Sequence, residues 1–214
     1  MTQTRVPVVP GHRGAGARAI DSLRLVGAAA AQIHSWATAA EGRRRTEQVL
    51  RTLDRAGWQV VRHVRLPSGG YVDHLAVGPS GVYLLDSRAW HGVVTVDQKG
   101  ATITPEDDPG AAWTAGGEHR SLPPAAAAVV HALTTATGIA LPAPHAVVVV
   151  WAPFPERVAV SGGVTYVAGE HLADWLSAQP RRRDRQRLTA LSLRAVAADA
   201  FHARTHADRA NEKA

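Results

Sequence analysis

The chain has 214 residues, with 24 Lys and Arg against 18 Asp and Glu and a formal charge of +6; that length suits one domain with a good core. It contains no cysteine, which excludes disulfides, thiol catalysis and cysteine-ligated zinc. The pI of about 10.6 is an arginine effect, since Lys99 and Lys213 are the only lysines, and it reads either as a solvated basic surface or as attraction to phosphate polymers.

Residues 1–20, with Pro7, Pro10, Gly11, Gly14 and Gly16, read as an arm. Its glycine cluster is no phosphate loop, because no Gly-Lys-Ser/Thr follows. Asp21 is placed to cap a helix running to Ala40. The apolar stretch Leu23 to Ala31 is broken by Gln32, His34 and Ser35, which is too short for a membrane span and unlike a signal peptide. No membrane association and a cytoplasmic location are therefore expected. A better helix follows over 39–56, with Val49, Leu50 and Leu53 as its apolar stripe and Gly57 as its stop.

A strand is expected over 58–64. Two runs then flank Gly78-Pro79-Ser80-Gly81: Tyr71 to Val77 and Val82 to Arg88. They predict a β-hairpin with a four-residue loop. Further strands are expected at 91–96 and 101–104, then a long loop over 105–117. Pro123-Pro124 is placed to open a helix over 125–137. The apolar run His145 to Trp151 suits a central strand covered on both faces. Short strands at 158–160 and 164–167, a helix at 169–177 and a last helix over 184–204 complete the chain. The alternation reads as α/β, a mixed central sheet flanked by helices. It partitions into an arm and leading helix (1–35), one domain (36–180) and a C-terminal helix (181–214).

Counting back from the hairpin turn opposes Val77 to Val82, Leu75 to Leu84 and Asp73 to Asp86. Such pairs have Cβ atoms ~5 Å apart, and like charges there are destabilising. A proton, a metal ion or a cation must neutralise them. Strand period puts Arg88 on the face of Asp86 and turns His74 to the opposite face, as a packed, hydrogen-bonded histidine.

The segments Glu41-Gly42-Arg43-Arg44-Arg45-Thr46, Gly57-Trp58, Leu66-Pro67, Val72-Asp73-His74-Leu75-Ala76-Val77-Gly78-Pro79-Ser80-Gly81-Val82 and Asp86-Ser87-Arg88-Ala89-Trp90-His91-Gly92 together resemble a nuclease-related (NERD) domain. The resemblance is close over residues 36–95 and looser beyond. It implies a restriction-endonuclease-like core and metal-dependent phosphodiester cleavage. The family's site has a helix Glu after Gly, an Asp before His, an acid on the next strand and a Lys two residues on. Here those positions match Arg43, Asp73, Asp86 and Arg88. Arg43 cannot ligate a divalent cation, which takes oxygen ligands. Arg88 keeps the positive charge of the Lys but cannot deprotonate.

Two outcomes follow from those departures. In the first, Arg43 and Arg88 neutralise Asp73 and Asp86 without any ion, and the domain is a nucleic-acid-associated module with a degenerate metal site and no cofactor. In the second, an active Mg²⁺- or Mn²⁺-dependent nuclease of DNA or RNA keeps Asp73 and Asp86 as metal ligands, Arg88 as a catalytic cation and Glu47, one helical turn after Arg43, as substitute ligand. A third reading is an interaction module that binds no nucleic acid. Arg44, Arg45, Arg181, Arg182 and Arg183 are candidate phosphate contacts, set against the ordinary reading of a solvated basic run. His202 and His206 have helical metal-ligand spacing but lack any motif around them. Trp90, just past Arg88, is read as packing rather than as stacking on a base, and contact with substrate is the lesser reading of His91.

Overall fold

The computed structural model describes residues 38–66, 70–138 and 140–181. The arm, the leading helix, Arg182, Arg183, the last helix and its histidine pair lie outside the described residues.

Helix α1 (38–51) opens the domain. A 3-10 turn follows at Asp54–Ala56, and Gly57, at φ 84°, ends it in the left-handed region that glycine adopts without strain. Strand β1 (Gln59–Arg65), β2 (Tyr71–Gly78) and β3 (Gly81–Arg88) form an antiparallel meander. The expected register holds at Val77–Val82 and Leu75–Leu84. Gly78 and Gly81 are themselves paired, so the turn is the two-residue Pro79-Ser80 rather than a four-residue loop. At Gly78 the backbone passes so close to Trp58 that a Cβ would sit 2.3 Å from the indole ring.

After β3 the chain leaves the main sheet. Strands β4 (Val93–Asp97), β5 (Gly100–Thr104) and β6 (Trp113–Ala115) make a separate three-stranded antiparallel sheet. The stretch expected as a long loop thus contains β6 and a 3-10 turn at Pro109–Ala111. Its polar, glycine-rich composition hides a three-residue strand whose pairing comes from β5.

Helix α2 spans Glu118–Thr137. It begins seven residues before the predicted start at 125. Pro123 and Pro124 lie inside it, where they leave two rungs of the helical ladder unmade. The two prolines look locally like an opening turn, whereas the helix starts ahead of them at Glu118. Strands β7 (His145–Val150), β8 (Val158–Ser161) and β9 (Val164–Ala168) and helix α3 (Leu172–Ala178) complete the domain.

The main sheet has the order β1-β2-β3-β7-β9-β8. Strand β7 runs parallel to both β3 and β9 and is buried along nearly its whole length, as its continuous apolar run requires. Alternation then sorts side chains to two faces. Leu75, Leu84, Val148 and Tyr166 meet Leu122, Ala126 and Val129 of α2. Ala76, Leu85, Val147 and Val149 meet Leu50 and Leu53 of the α1 segment and Leu172 and Leu176 of α3. The result is a mixed sheet between helical layers, consistent with a restriction-endonuclease-like core. No helix among the described residues is long and apolar enough to cross a membrane.

Candidate functional site

The ladder between β2 and β3 ends at His74–Leu85, one rung before the two aspartates. There Asp73 takes over from the backbone: its Oδ2 accepts the Ser87 N–H at 2.8 Å. The carboxylate thereby satisfies a strand donor while its other oxygen faces Arg43, whose Nε lies 3.9 Å away. Arg43 comes from the first turns of α1, brought close by Gly42, where a Cβ would lie 3.3 Å from that of Ala89 and 3.5 Å from the Trp151 ring.

Asp86 points to the α2 face. Its Oδ2 lies 2.5 Å from Arg88 Nη2, and the same guanidinium puts Nε 3.3 Å from Oε1 of Glu118. Arg88 therefore bridges two carboxylates. Burial pushes Asp86 up to about 6; Arg88 opposes that rise, and Asp73 and Glu118 add to it. Tyr166, on β9 beyond β7, is pushed up to about 12 by burial and by Glu118.

Glu118 is the residue that sequence reasoning missed. It opens α2 and is buried, and its Oε2 has no hydrogen-bond partner among the described residues. A carboxylate in a first helical turn favours the positive end of the helix dipole. Glu118 directly after the Gly116-Gly117 pair was the available signal, obscured by starting the helix at the prolines. With it, the site holds three acids and two guanidinium groups, one acid more than the matched positions supply.

Glu47 sits elsewhere. It pairs with Arg51 and with Arg62, the latter at 2.9 Å, and these partners hold its carboxyl below the usual range, with Arg51 foremost. His74, near it, is buried, and burial lowers its pKa. Both belong to the α1 face of the sheet, whereas Asp86 and Glu118 occupy the α2 face. The expected hydrogen bond of His74 is not found at Nδ1, which has no partner among the described residues.

Among the basic candidates, Arg44 forms a two-point ion pair with Glu41 of its own helix, at 2.7 and 2.8 Å. Arg45 pairs with Glu170 at 3.4 Å and lies 4.1 Å over the ring of Trp151. Arg181 is exposed. Trp90 is half-buried and meets Trp113 edge to face at 6.3 Å. His91 is exposed in the turn before β4.

Thr46 joins α1 to the sheet on the other face. Its hydroxyl accepts from Ser87 Oγ at 2.9 Å and from Trp151 Nε1 at 2.7 Å. The backbone N–H of Trp151 in turn donates to the Arg88 carbonyl at 2.7 Å.

Against known proteins, residues 38–121 match the family model of the nuclease-related domain (NERD). The chain carries a nuclease-related domain. The match contains Arg43, Asp73, Asp86, Arg88 and Glu118, and it implies the restriction-endonuclease-like superfamily. No curated protein and no solved structure matches the chain.

NERD domains are usually metal-dependent, so the donor set must be tested against a divalent cation. Among the described residues no three Asp, Glu or His side chains are grouped to hold a metal ion. Of the oxygens that could ligate one, Asp86 Oδ2 and Glu118 Oε1 clasp Arg88 and Asp73 Oδ1 faces Arg43, while Asp73 Oδ2 accepts from the Ser87 N–H and Glu118 Oε2 is left without a partner among the described residues. As the side chains stand, these acids pair with arginine rather than group as a ligand set.

Proposed function

We propose that this NERD domain associates with nucleic acid through a site whose acids are neutralised internally, by arginine rather than by a metal ion. The single observation that carries the reading is the bridge from Arg88 to both Asp86 and Glu118. A guanidinium held by two carboxylates discharges them at fixed geometry, and the Arg88 side chain remains 39% exposed, which leaves it accessible to a phosphate. The net charge of +6 supplies the long-range attraction.

The test is cleavage of plasmid and single-stranded DNA with Mg²⁺ or Mn²⁺, run beside Asp73→Ala, together with DNA binding across a salt series. Binding that weakens with salt, without cleavage in either protein, is expected. Cleavage by the wild type that disappears in Asp73→Ala would overturn the proposal in favour of a metal-dependent phosphodiesterase. No salt-dependent binding would leave an interaction module that does not use nucleic acid.

A further inference from the structure

A second feature lies past the ends of β7 and β9, on the side of the domain where α1 and α3 pack. It is an open cavity of about 570 Å³ lined by Arg45, Trp151, Phe154, Arg157 and His171, among others. The volume is in the range of small-molecule sites. Its wall combines a flat aromatic stack with positive charge. The Trp151 indole is fixed from behind, since its Nε1–H is committed to Thr46 and a Cβ at Gly169 would lie 2.4 Å from its ring. The Arg45 guanidinium lies against that indole.

Arg157 brings the second cation. It adopts φ 61°, a left-handed conformation that a side-chain-bearing residue rarely takes. The turn enforces it: the Arg157 N–H donates to the Phe154 carbonyl at 3.1 Å and its carbonyl accepts from Ala168 at 2.7 Å. The strained backbone carries an exposed guanidinium at the cavity wall, and it pairs with no carboxylate among the described residues. Glu170, the one acid lining the cavity, is committed to Arg45. Two arginines and a histidine thus face one carboxylate across a space with aromatic walls.

We propose that this cavity binds one unpaired nucleotide, its base stacked on the Arg45–Trp151 pair and its phosphate held by Arg157. Arginine planes are a stacking surface for splayed-out bases, and such stacking tolerates any base identity. A duplex presents its bases stacked on one another and cannot offer one to the cavity without unpairing it. The inference rests on the nucleic-acid reading above and names the form of ligand: single-stranded. Trp151, on the cavity wall, also bonds the Arg88 carbonyl, which links that wall to the strand carrying Asp86 and Arg88.

The experiment compares fluorescence anisotropy of a labelled single-stranded DNA oligonucleotide with that of a duplex of the same length. The proteins are the wild type, Arg45→Ala, Arg157→Asn and Arg157→Lys; asparagine tolerates the left-handed backbone, so loss of the guanidinium is separated from loss of fold. Calorimetric titration with dAMP runs in parallel on the wild type and Arg157→Asn. Single-strand affinity is expected to fall roughly tenfold in Arg45→Ala and Arg157→Asn, to recover largely in Arg157→Lys, and duplex affinity to move less than about twofold. Salt-dependent DNA binding indifferent to both arginines would overturn the cavity assignment and leave the broader proposal standing. If no DNA binds at all, the broader proposal falls, and dAMP decides the cavity: heat lost in Arg157→Asn supports it, and no dAMP binding by the wild type overturns it.

Discussion

Asp86→Asn tests whether burial or pairing dominates at the centre of the site. The Asp86 carboxyl is raised from 3.8 to about 6, with burial as the first cause and the Arg88 pair opposing it. A folded-state pKa above the unfolded one means that the native state binds the proton more tightly. The associated stability is fully present below pH 4 and is lost as the pH rises through 6. The rise corresponds to about 3 kcal/mol. That rise is already net of the Arg88 pair, and asparagine removes the charge at nearly the same volume. Asp86→Asn should therefore be more stable than the wild type by about 3 kcal/mol at pH 8 and nearly indistinguishable from it at pH 4. Urea denaturation followed by far-ultraviolet circular dichroism, repeated from pH 4 to 8, measures both. A variant that is less stable at pH 8, with a gap that widens as pH rises, would show that Arg88 more than repays the burial of Asp86.

Glu118→Gln removes a negative charge that raises Asp86, so the Asp86 midpoint should move down from about 6 in a carboxyl-carbon NMR titration, while Glu47→Gln, on the opposite sheet face, should leave it in place; equal shifts from both would refute the assignment of faces. Thr46→Val keeps the shape but strips the acceptor from two buried donors, Ser87 Oγ and Trp151 Nε1, and should cost about 2 kcal/mol in urea denaturation. A loss under about 0.5 kcal/mol would mean that the two donors find other partners.

The hairpin was legible because its turn and its two apolar runs left one register that kept Leu75, Val77, Val82 and Leu84 on a shared face. Strand β7 was legible for a related reason: a run of four valines has no polar face to offer. The start of α2 was not. Two adjacent prolines announce a first turn, and the local rule outweighed the weaker signal of an acid after glycines. That one displacement hid Glu118 and made the site look like two acids when it holds three. Glu47 shows the complementary limit. Helical spacing put it one turn from Arg43, but Arg43 faces Asp73 whereas Glu47 is held by Arg51 and by Arg62 of β1. The small sheet was only partly legible, since β4 and β5 have alternating patterns whereas β6 exists through pairing with β5. The left-handed backbone of Arg157 has no signature in sequence.

Trp151 binds to three neighbours with three different parts of itself. Its amide holds the Arg88 carbonyl, its indole nitrogen holds Thr46, and its ring carries Arg45. With Gly169 leaving no slack beside the ring, the residue cannot tilt toward the cavity without tugging the strand end that aims Arg88. Were both places to bind ligands, any coupling carried through the indole would be reciprocal, each ligand changing the other's affinity by the same factor. Cavity and acid cluster would then read each other's occupancy through a single aromatic side chain, with no helix or strand having to move as a body.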